Sequence, residues 1–464
     1  VYSRRIDHRR ADLARFWSNL MTLSRSVPRS ISRSGVLAVA VAMAGIASLP
    51  AAAAQPEQAQ RWIRVADDNA NNKVSLQVAA RSFKRKSDER VIWLASAVHV
   101  GDRSYYRALQ ESLDTKDVVL YEGVKPPGAG RHDHDLGATD EDKVDATKKR
   151  LRFLGVAVKM HESARGQLPA ALTDLTTPSA KGETLDERIA PLVAASMTDA
   201  WGNAIAYTLL SGEVGAGGFE LSSLGADGKT GGEGIAADIR LSDQKPISDS
   251  EIPDQSEGGI QQQLAGALGL VFQLDAMDHS GANWRNSDLS VDQVTERITG
   301  SGGDADELFQ TLGGQSFGAK VAGTLLRFIG SNQMFSTLAK AMMVEVLGQA
   351  DELMDVMPGE MGRIMDVIVK DRNQVVLDDL VGVLEHEPDK KNIAVIYGAG
   401  HMPDLEARLA ELGFAEDKAV WFNAITVDLD KTGMSRQQTD SLRSMLRDSI
   451  KDQAKILKRA NERK

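Results

Sequence analysis

Apolar and polar positions fall into blocks of different period along the chain. Trp62 to Val65 and Val74 to Phe83 are apolar-rich segments about a polar turn, Asp67 to Lys73, the pattern of a β-hairpin. Val91 to Val98 is an almost wholly apolar run ending at His99 and Gly101. A helix-like stretch from Tyr105 to Leu113 follows, then a second apolar run, Val118 to Tyr121, ending at Glu122. Strand, helix, strand with unbroken apolar strands predicts a βαβ unit buried on both faces. The same character returns late, with a strand over Ile393 to Tyr397, a turn Gly398 to Gly400, His401, a helix from Leu405 to Leu412 and a strand through Val420 to Val427.

Between these halves the character changes. Gly128 to Asp142 is polar and rich in turn residues and reads as a surface loop or linker. Ala146 to Glu162 places Leu151, Leu154, Val158 and Met160 at helical spacing, and Asp199 to Asp243 is Gly-rich with short strands. A polar linker, Lys245 to Gly259, closes this insert, and helical patterns then dominate from Gln261 to Leu384. The tail from Gln437 spaces Leu442, Met445, Leu446, Ile450 and Leu457 as a docked helix, with membrane contact as the competing reading. The expected fold is therefore α/β, a mixed or parallel sheet with a helical subdomain, carrying an inserted small α+β domain. The boundaries are 1–54, then 55–136 with 259–430, an insert at 137–258, and a C-terminal helix at 431–464.

Charge and cysteine content narrow the chemistry. No cysteine is present in the 464 residues, which excludes disulfides, thiolate metal sites and cysteine nucleophiles. Residues 1 to 54 carry eight Arg against Asp7 and Asp12, a balance of +6, so the net charge of −10 leaves −16 on the remainder. A body that acidic repels phosphate backbones, and no nucleic-acid partner is expected. Residues 35 to 49 form a fifteen-residue uncharged run, preceded by Arg25, Arg29 and Arg33 and followed by Pro50 and Ala51 to Ala54. This is the layout of a secretory signal peptide cleaved near Ala54; a membrane anchor would need roughly 20 apolar residues. The expectation is an exported protein, periplasmic or secreted, with no stable membrane span after processing.

Three polar residues end three apolar strands: His99, Glu122 and His401. In open α/β sheets ligands bind outside the carboxyl ends of the strands, so two imidazoles and one carboxylate converging there would suit a divalent metal. The competing reading makes each a hydrogen-bonded loop residue. Asp371, Arg372 and Asn373 form a polar cluster in the helical region, either a solvated face or a buried Arg that clamps an anionic group. His132 and His134 lie in a polar loop, His161 on the predicted insert helix, His386 in an acidic turn, and His279 follows Asp275 and Asp278.

Two sets of segments resemble known families. VIWLASAVHVGDRSYYRALQ, DVVLYEG, GLVFQLDAMDHSGANWRNSDLSVDQV, DRNQVVLDDL and IAVIYGAGHMPDLEARLAELGF resemble, in order, motifs of the TraB/PrgY/GumN superfamily, which includes the Tiki metalloproteases. That resemblance implies an α/β fold with GxxH near each end and, in the Tiki branch, metal-dependent peptidase activity. The metal would be Mn, Co or Zn on His99, Glu122 and His401, with Glu122, Arg372 and Asn373 as catalytic residues. Gly398 to His401 matches GxxH, whereas Ser96 stands where the first motif has Gly. ATKKRLRFLGVAVKMHESARGQLPAALTDL, DAWGNAIAYTL and FELSSLGADGKTGGEGIAADI are similar to the soluble part of type II secretion major pseudopilins, of the pseudopilin G type. This implies a Ca²⁺ site on the last loop, at Asp227, Asp238 and the Leu224 carbonyl, with Ser223 as a further candidate, and pseudopilins of a secretion system as partners. Two functions follow as expectations: an exported metal-dependent hydrolase, peptidase-like, acting on a peptide or protein; or a non-catalytic binding or scaffold protein associated with a type II secretion apparatus. The Ser96 departure favours the second, the retained His pair the first.

Overall fold

The computed structural model describes residues 62–87, 89–126, 129, 139–176, 190–210, 218–247, 260–300, 329–350 and 367–461. All of them lie in one compact unit, Ile46–Lys464. The proposed signal segment, His132 and His134 lie outside the described residues.

The chain opens with β1 (Ile63–Asp68) and β2 (Lys73–Lys84), the expected antiparallel hairpin, with Ile63 opposite Val78 and Asp68 opposite Lys73. Next come β3 (Val91–Ala97), β4 (Val100–Gly101), α1 (Arg103–Leu113) and β5 (Val118–Tyr121). The insert contains α2 (Asp140–Arg165), β6 (Ala206–Leu210), β7 (Gly218–Ser223) and β8 (Ile239–Arg240). The chain then runs through α3 (Ile260–Leu268), β9 (Val271–Phe272), β10 (Trp284–Asn286), α4 (Val291–Gly300), α5 (Gln333–Leu347) and α6 (Arg372–His386). It finishes with β11 (Asn392–Gly398), α7 (Met402–Glu411), β12 (Ala415–Asp428) and α8 (Arg436–Asn461).

The main sheet runs β1-β2-β3-β11-β5-β10, with β12 also on β2. It is mixed: β3, β11, β5 and β10 are parallel, while β2 is antiparallel to β1, β3 and β12. Residues 301 positions apart in sequence thus end up on neighbouring strands, Ser96 pairing with Tyr397. Both faces are covered, which is why the central strands read as continuous apolar runs. On one face Leu76, Val78, Ala95, Val119 and Ile396 pack under α1, α3 and α5. On the other, Ile92, Leu94, Leu120, Val395 and Tyr397 pack under α6 and α7 through Val376, Leu380, Leu405 and Leu409.

Two elements are longer than the apolar pattern predicted. β12 begins at Ala415, because its first half, with Glu416, Asp417 and Lys418, is an exposed edge on β2 and carries no apolar signal. α2 begins at Asp140, since Thr139 and Asp142 form a capping box; the Thr139 hydroxyl accepts from the Asp142 N–H at 3.2 Å, and Asp142 accepts from the Thr139 N–H at 2.9 Å. It ends at Gly166, whose φ of 71° is the left-handed C-terminal conformation.

The insert has its own core. Leu151, Leu154, Ala157 and Val158 of α2 meet Leu172, Leu175, Val193, Ile205 and Leu221, and β6-β7-β8 form a separate antiparallel sheet. At the other end of the chain α8 docks on α5, where the buried Glu345 carboxylate takes Arg443 at 2.5 Å and Arg447 at 2.9 Å. The tail is thus a packed helix. No helix among the described residues is long and apolar enough to cross a membrane.

Candidate functional site

The parallel strands deliver their following residues to one edge of the sheet, and there the chain gathers charge. Glu122, one residue past β5, is buried and accepts from the Gly398 N–H at 2.5 Å and from Arg372 Nη2 at 2.7 Å. Arg372, at the start of α6, also makes a two-pronged contact with Asp288, Nε to Oδ1 at 2.8 Å and Nη2 to Oδ2 at 2.6 Å. Asp288 is completely buried and is itself held by the N–H groups of Gly123 and Leu289. One guanidinium therefore bridges two carboxylates, and fork-to-carboxylate geometry of this kind is stronger and more directional than a point contact.

His401 completes the group. It is fully buried, its Nδ1 is 2.6 Å from Asn373 Oδ1, and its Nε2 is 3.7 Å from Glu122 Oε1. An amide oxygen only accepts. The Asn373 side-chain amide donates to the His401 carbonyl at 3.1 Å and to Asp404 Oδ2 at 2.8 Å, which fixes its orientation. The proton of neutral His401 therefore sits on Nδ1 and leaves Nε2 as a bare lone pair. That nitrogen is buried and has no hydrogen-bond partner, and neither has the buried Ser96 hydroxyl.

The electrostatics follow from this packing. Burial lowers the pKa of His401 to about 4, against the opposing pull of Glu122. His99 is shifted the same way, by burial first, with Glu122 raising it, Arg372 lowering it and Gln273 hydrogen-bonded to it. For Glu122 burial acts upward, but Arg372, then His401, His99 and the Gly398 N–H, hold it at about 2. The site at neutral pH is an ionised carboxylate beside neutral imidazoles.

Thus His99, Glu122, Arg372, Asn373 and His401 are brought into one electrostatic neighbourhood. Glu122 already spends one oxygen on Arg372 and the other on the Gly398 N–H, and among the described residues no group of three or more His, Asp or Glu side chains forms a ready-made metal site. Asp371 separates from its neighbours, half in solvent and 3.8 Å from Arg297. Sequence reasoning missed Asp288, whose placement just before α4 reads as a helix-start acid, and Asp404, which sits in the first turn of α7. Of the remaining histidines, His161 is buried in the insert core with Nδ1 3.1 Å from the Gln167 carbonyl. His386 faces solvent at the end of α6, and His279 packs between Tyr121 and Trp284, burial lowering its pKa to about 4.

In the insert the loop after β7 carries Leu224, Asp227 and Asp238. A Cβ at Gly225, whose φ is +68°, would lie 2.8 Å from backbone atoms of Ile235, Ala236 and Ala237, so the two ends of the loop are in backbone contact. Asp227 Oδ1 accepts from the Lys229 N–H at 3.0 Å and Asp238 Oδ1 from the Gly231 N–H at 2.9 Å. Carboxylate and carbonyl oxygens on a tight loop are the donor chemistry that suits Ca²⁺. Ser223 is turned the other way, its hydroxyl donating to Asp199 at 2.6 Å, which corrects its candidacy as a ligand.

An α/β body interrupted by a small helix-and-hairpin domain is the class these features define. The family model for type II secretion system protein G matches residues 135–242. The type II secretion system core protein G of Xanthomonas campestris pv. campestris is 32% identical over 106 residues, which are 23% of this chain and 70% of that protein. Through this domain the chain belongs to the type II secretion system protein G family. No solved structure matches the chain. The family match ends at residue 242 and lends no support to the TraB/PrgY/GumN resemblance, so the α/β body stands on its own topology.

Proposed function

We propose that the protein is an exported, non-catalytic scaffold that meets a type II secretion apparatus through the inserted domain. The carrying observation is the match of residues 135–242 to protein G, a stretch containing α2 and β6-β7-β8, which pack around one core. A domain with its own core and its own capped helix presents a surface without help from the sheet that hosts it. The proposed partners are pseudopilins, and the proposed location is periplasmic or secreted. Titration of the purified chain with purified soluble pseudopilins of the same apparatus tests this. A saturable complex lost when residues 137–258 are replaced by a short Gly-Ser linker supports the reading; no complex, or one unchanged by the replacement, overturns it. Calcium on the Leu224 carbonyl, Asp227 and Asp238 is part of the same reading.

A second reading is favoured by one atom, the unpartnered His401 Nε2 facing Glu122. It makes the strand-end group a metal-dependent hydrolase of the TraB/GumN type, with His99, Glu122 and His401 as ligands and Arg372 and Asn373 assisting. A divalent metal there would supply Lewis-acid polarisation of a substrate carbonyl. Neutral His401, oriented by Asn373, is in the protonation state a ligand needs. Metal analysis of the purified chain beside His401→Ala separates the two readings: stoichiometric Mn, Co or Zn lost in the variant favours the hydrolase, and no bound metal in either removes it.

A further inference from the structure

Asp199 and Asn203, in the segment DAWGN, lie about 25 residues before the glycine-rich loop and close a ring of hydrogen bonds behind it. Buried Asp199 accepts the Ser223 hydroxyl at Oδ2, 2.6 Å away. The Ser223 oxygen accepts the Gly225 N–H at 3.1 Å, and the Gly225 carbonyl accepts from Asn203 Nδ2 at 2.8 Å. The Asn203 N–H donates to Asp199 Oδ1 at 2.8 Å and completes the circuit. The ring is tied to α2, where the Thr147 hydroxyl accepts from the Ala200 N–H at 3.2 Å and Arg150 reaches the Thr198 carbonyl at 3.4 Å.

The Gly225 N–H belongs to the same peptide unit as the Leu224 carbonyl, so its bond to Ser223 fixes the plane of that carbonyl from the buried side. The same Asn203 amide backs the next turn, since a Cβ on Gly228 would lie 3.0 Å from Asn203 Oδ1. Asp227 is carried on that turn. We infer that Asp199, Ser223 and Asn203 are positioning residues, which set the Leu224 carbonyl and Asp227 for Ca²⁺ without touching the ion. The inference rests on the calcium reading of the loop. Its physical basis is preorganisation: a carbonyl already held in its binding orientation does not surrender conformational freedom when the ion arrives, and partners behind metal ligands typically govern affinity about 10–100-fold.

Calorimetric titration of the purified full chain with CaCl₂ tests it, beside Asn203→Ala, Ser223→Ala, Ser223→Thr and Asp227→Ala. The expected result is loss of binding in Asp227→Ala and a weakening of about tenfold or more in Asn203→Ala and Ser223→Ala. The calcium-free melting curve and far-ultraviolet dichroism should stay close to those of the unsubstituted chain, and Ser223→Thr, which keeps the hydroxyl, should retain affinity. If Ser223→Ala does not fold, the half-buried Asn203→Ala decides. Folded Asn203→Ala binding calcium within twofold of the unsubstituted chain overturns the inference while leaving the calcium reading intact. Unfolding of Asn203→Ala also overturns it, because the residue would then hold the domain and not the loop. An unsubstituted chain that binds no calcium overturns the calcium reading itself.

Discussion

Replacing Arg372 by Met keeps the unbranched aliphatic stem and removes the guanidinium that bridges Glu122 and Asp288. In the native site Arg372 contacts Glu122 at 2.7 Å and Asp288 at 2.8 and 2.6 Å. Glu122 has a folded pKa of about 2 against an ordinary 4.5, so it contributes stability that is present above pH 4.5 and lost as pH falls toward 2. A gap of that size corresponds to something on the order of 3 kcal/mol. Without Arg372 the balance reverses, because burial, which acts to raise the pKa, loses its strongest opponent. The variant should be destabilised by about 3–5 kcal/mol at pH 7, the usual cost of stranding a buried charge. The loss should shrink between pH 7 and pH 5 as Glu122 takes up a proton in the folded state. Urea unfolding of both proteins at the two pH values, followed by tryptophan fluorescence and amide exchange in β5 and β11, measures this. A loss below about 1 kcal/mol, or one independent of pH, would refute the assignment of Arg372 as the counter-charge of a buried carboxylate.

Other outcomes are specific to single contacts. Asn373→Leu should release His401 from the Nδ1–H form, visible as a change in its ring ¹⁵N shifts; an unchanged spectrum would contradict the tautomer argument. Because burial holds His401 at about 4, below its ordinary 6.5, the folded state binds fewer protons than the unfolded chain between those values. Stability should therefore fall as pH is lowered through this window, and His401→Phe should flatten that part of the profile. Gly225→Ala places a Cβ 2.8 Å from three backbone atoms at a φ of +68°, and should lower the melting temperature of the insert by more than Gly166→Ala, where the added carbon meets nothing within 4 Å. Glu345→Gln should weaken the hold of Arg443 and Arg447 and raise amide exchange along α8 before the main sheet opens.

The apolar code made the central sheet legible because β3, β5 and β11 are buried on both faces and read as uninterrupted apolar runs. It also placed His99, Glu122 and His401 at strand ends, since the run stops where the chain leaves the sheet. What it did not carry was pairing between distant polar residues. Asp288 and Asp404 look like ordinary acids at helix starts, and nothing local marks them as partners of Arg372 and Asn373, 84 and 31 residues away. The first half of β12 was hidden for a different reason, being a strand held by its neighbour's backbone and not by buried side chains. The capping box at Thr139 was present in the sequence, but the acid-rich turn around it read as linker. Ser223 shows the limit of a motif: its position in the loop suggested a ligand, while its hydroxyl faces inward to Asp199.

The claim that the inserted domain meets a secretion apparatus is tested most directly by a photo-reactive amino acid placed in the chain in cells that assemble such an apparatus. Leu209, half exposed on the edge strand β6, is the reporting position, and Val420, 45% exposed on β12, is the control on the α/β body. Irradiation should yield an adduct with a pseudopilin from position 209 and none from position 420. The absence of that adduct, or equal adducts from both positions, would contradict the account.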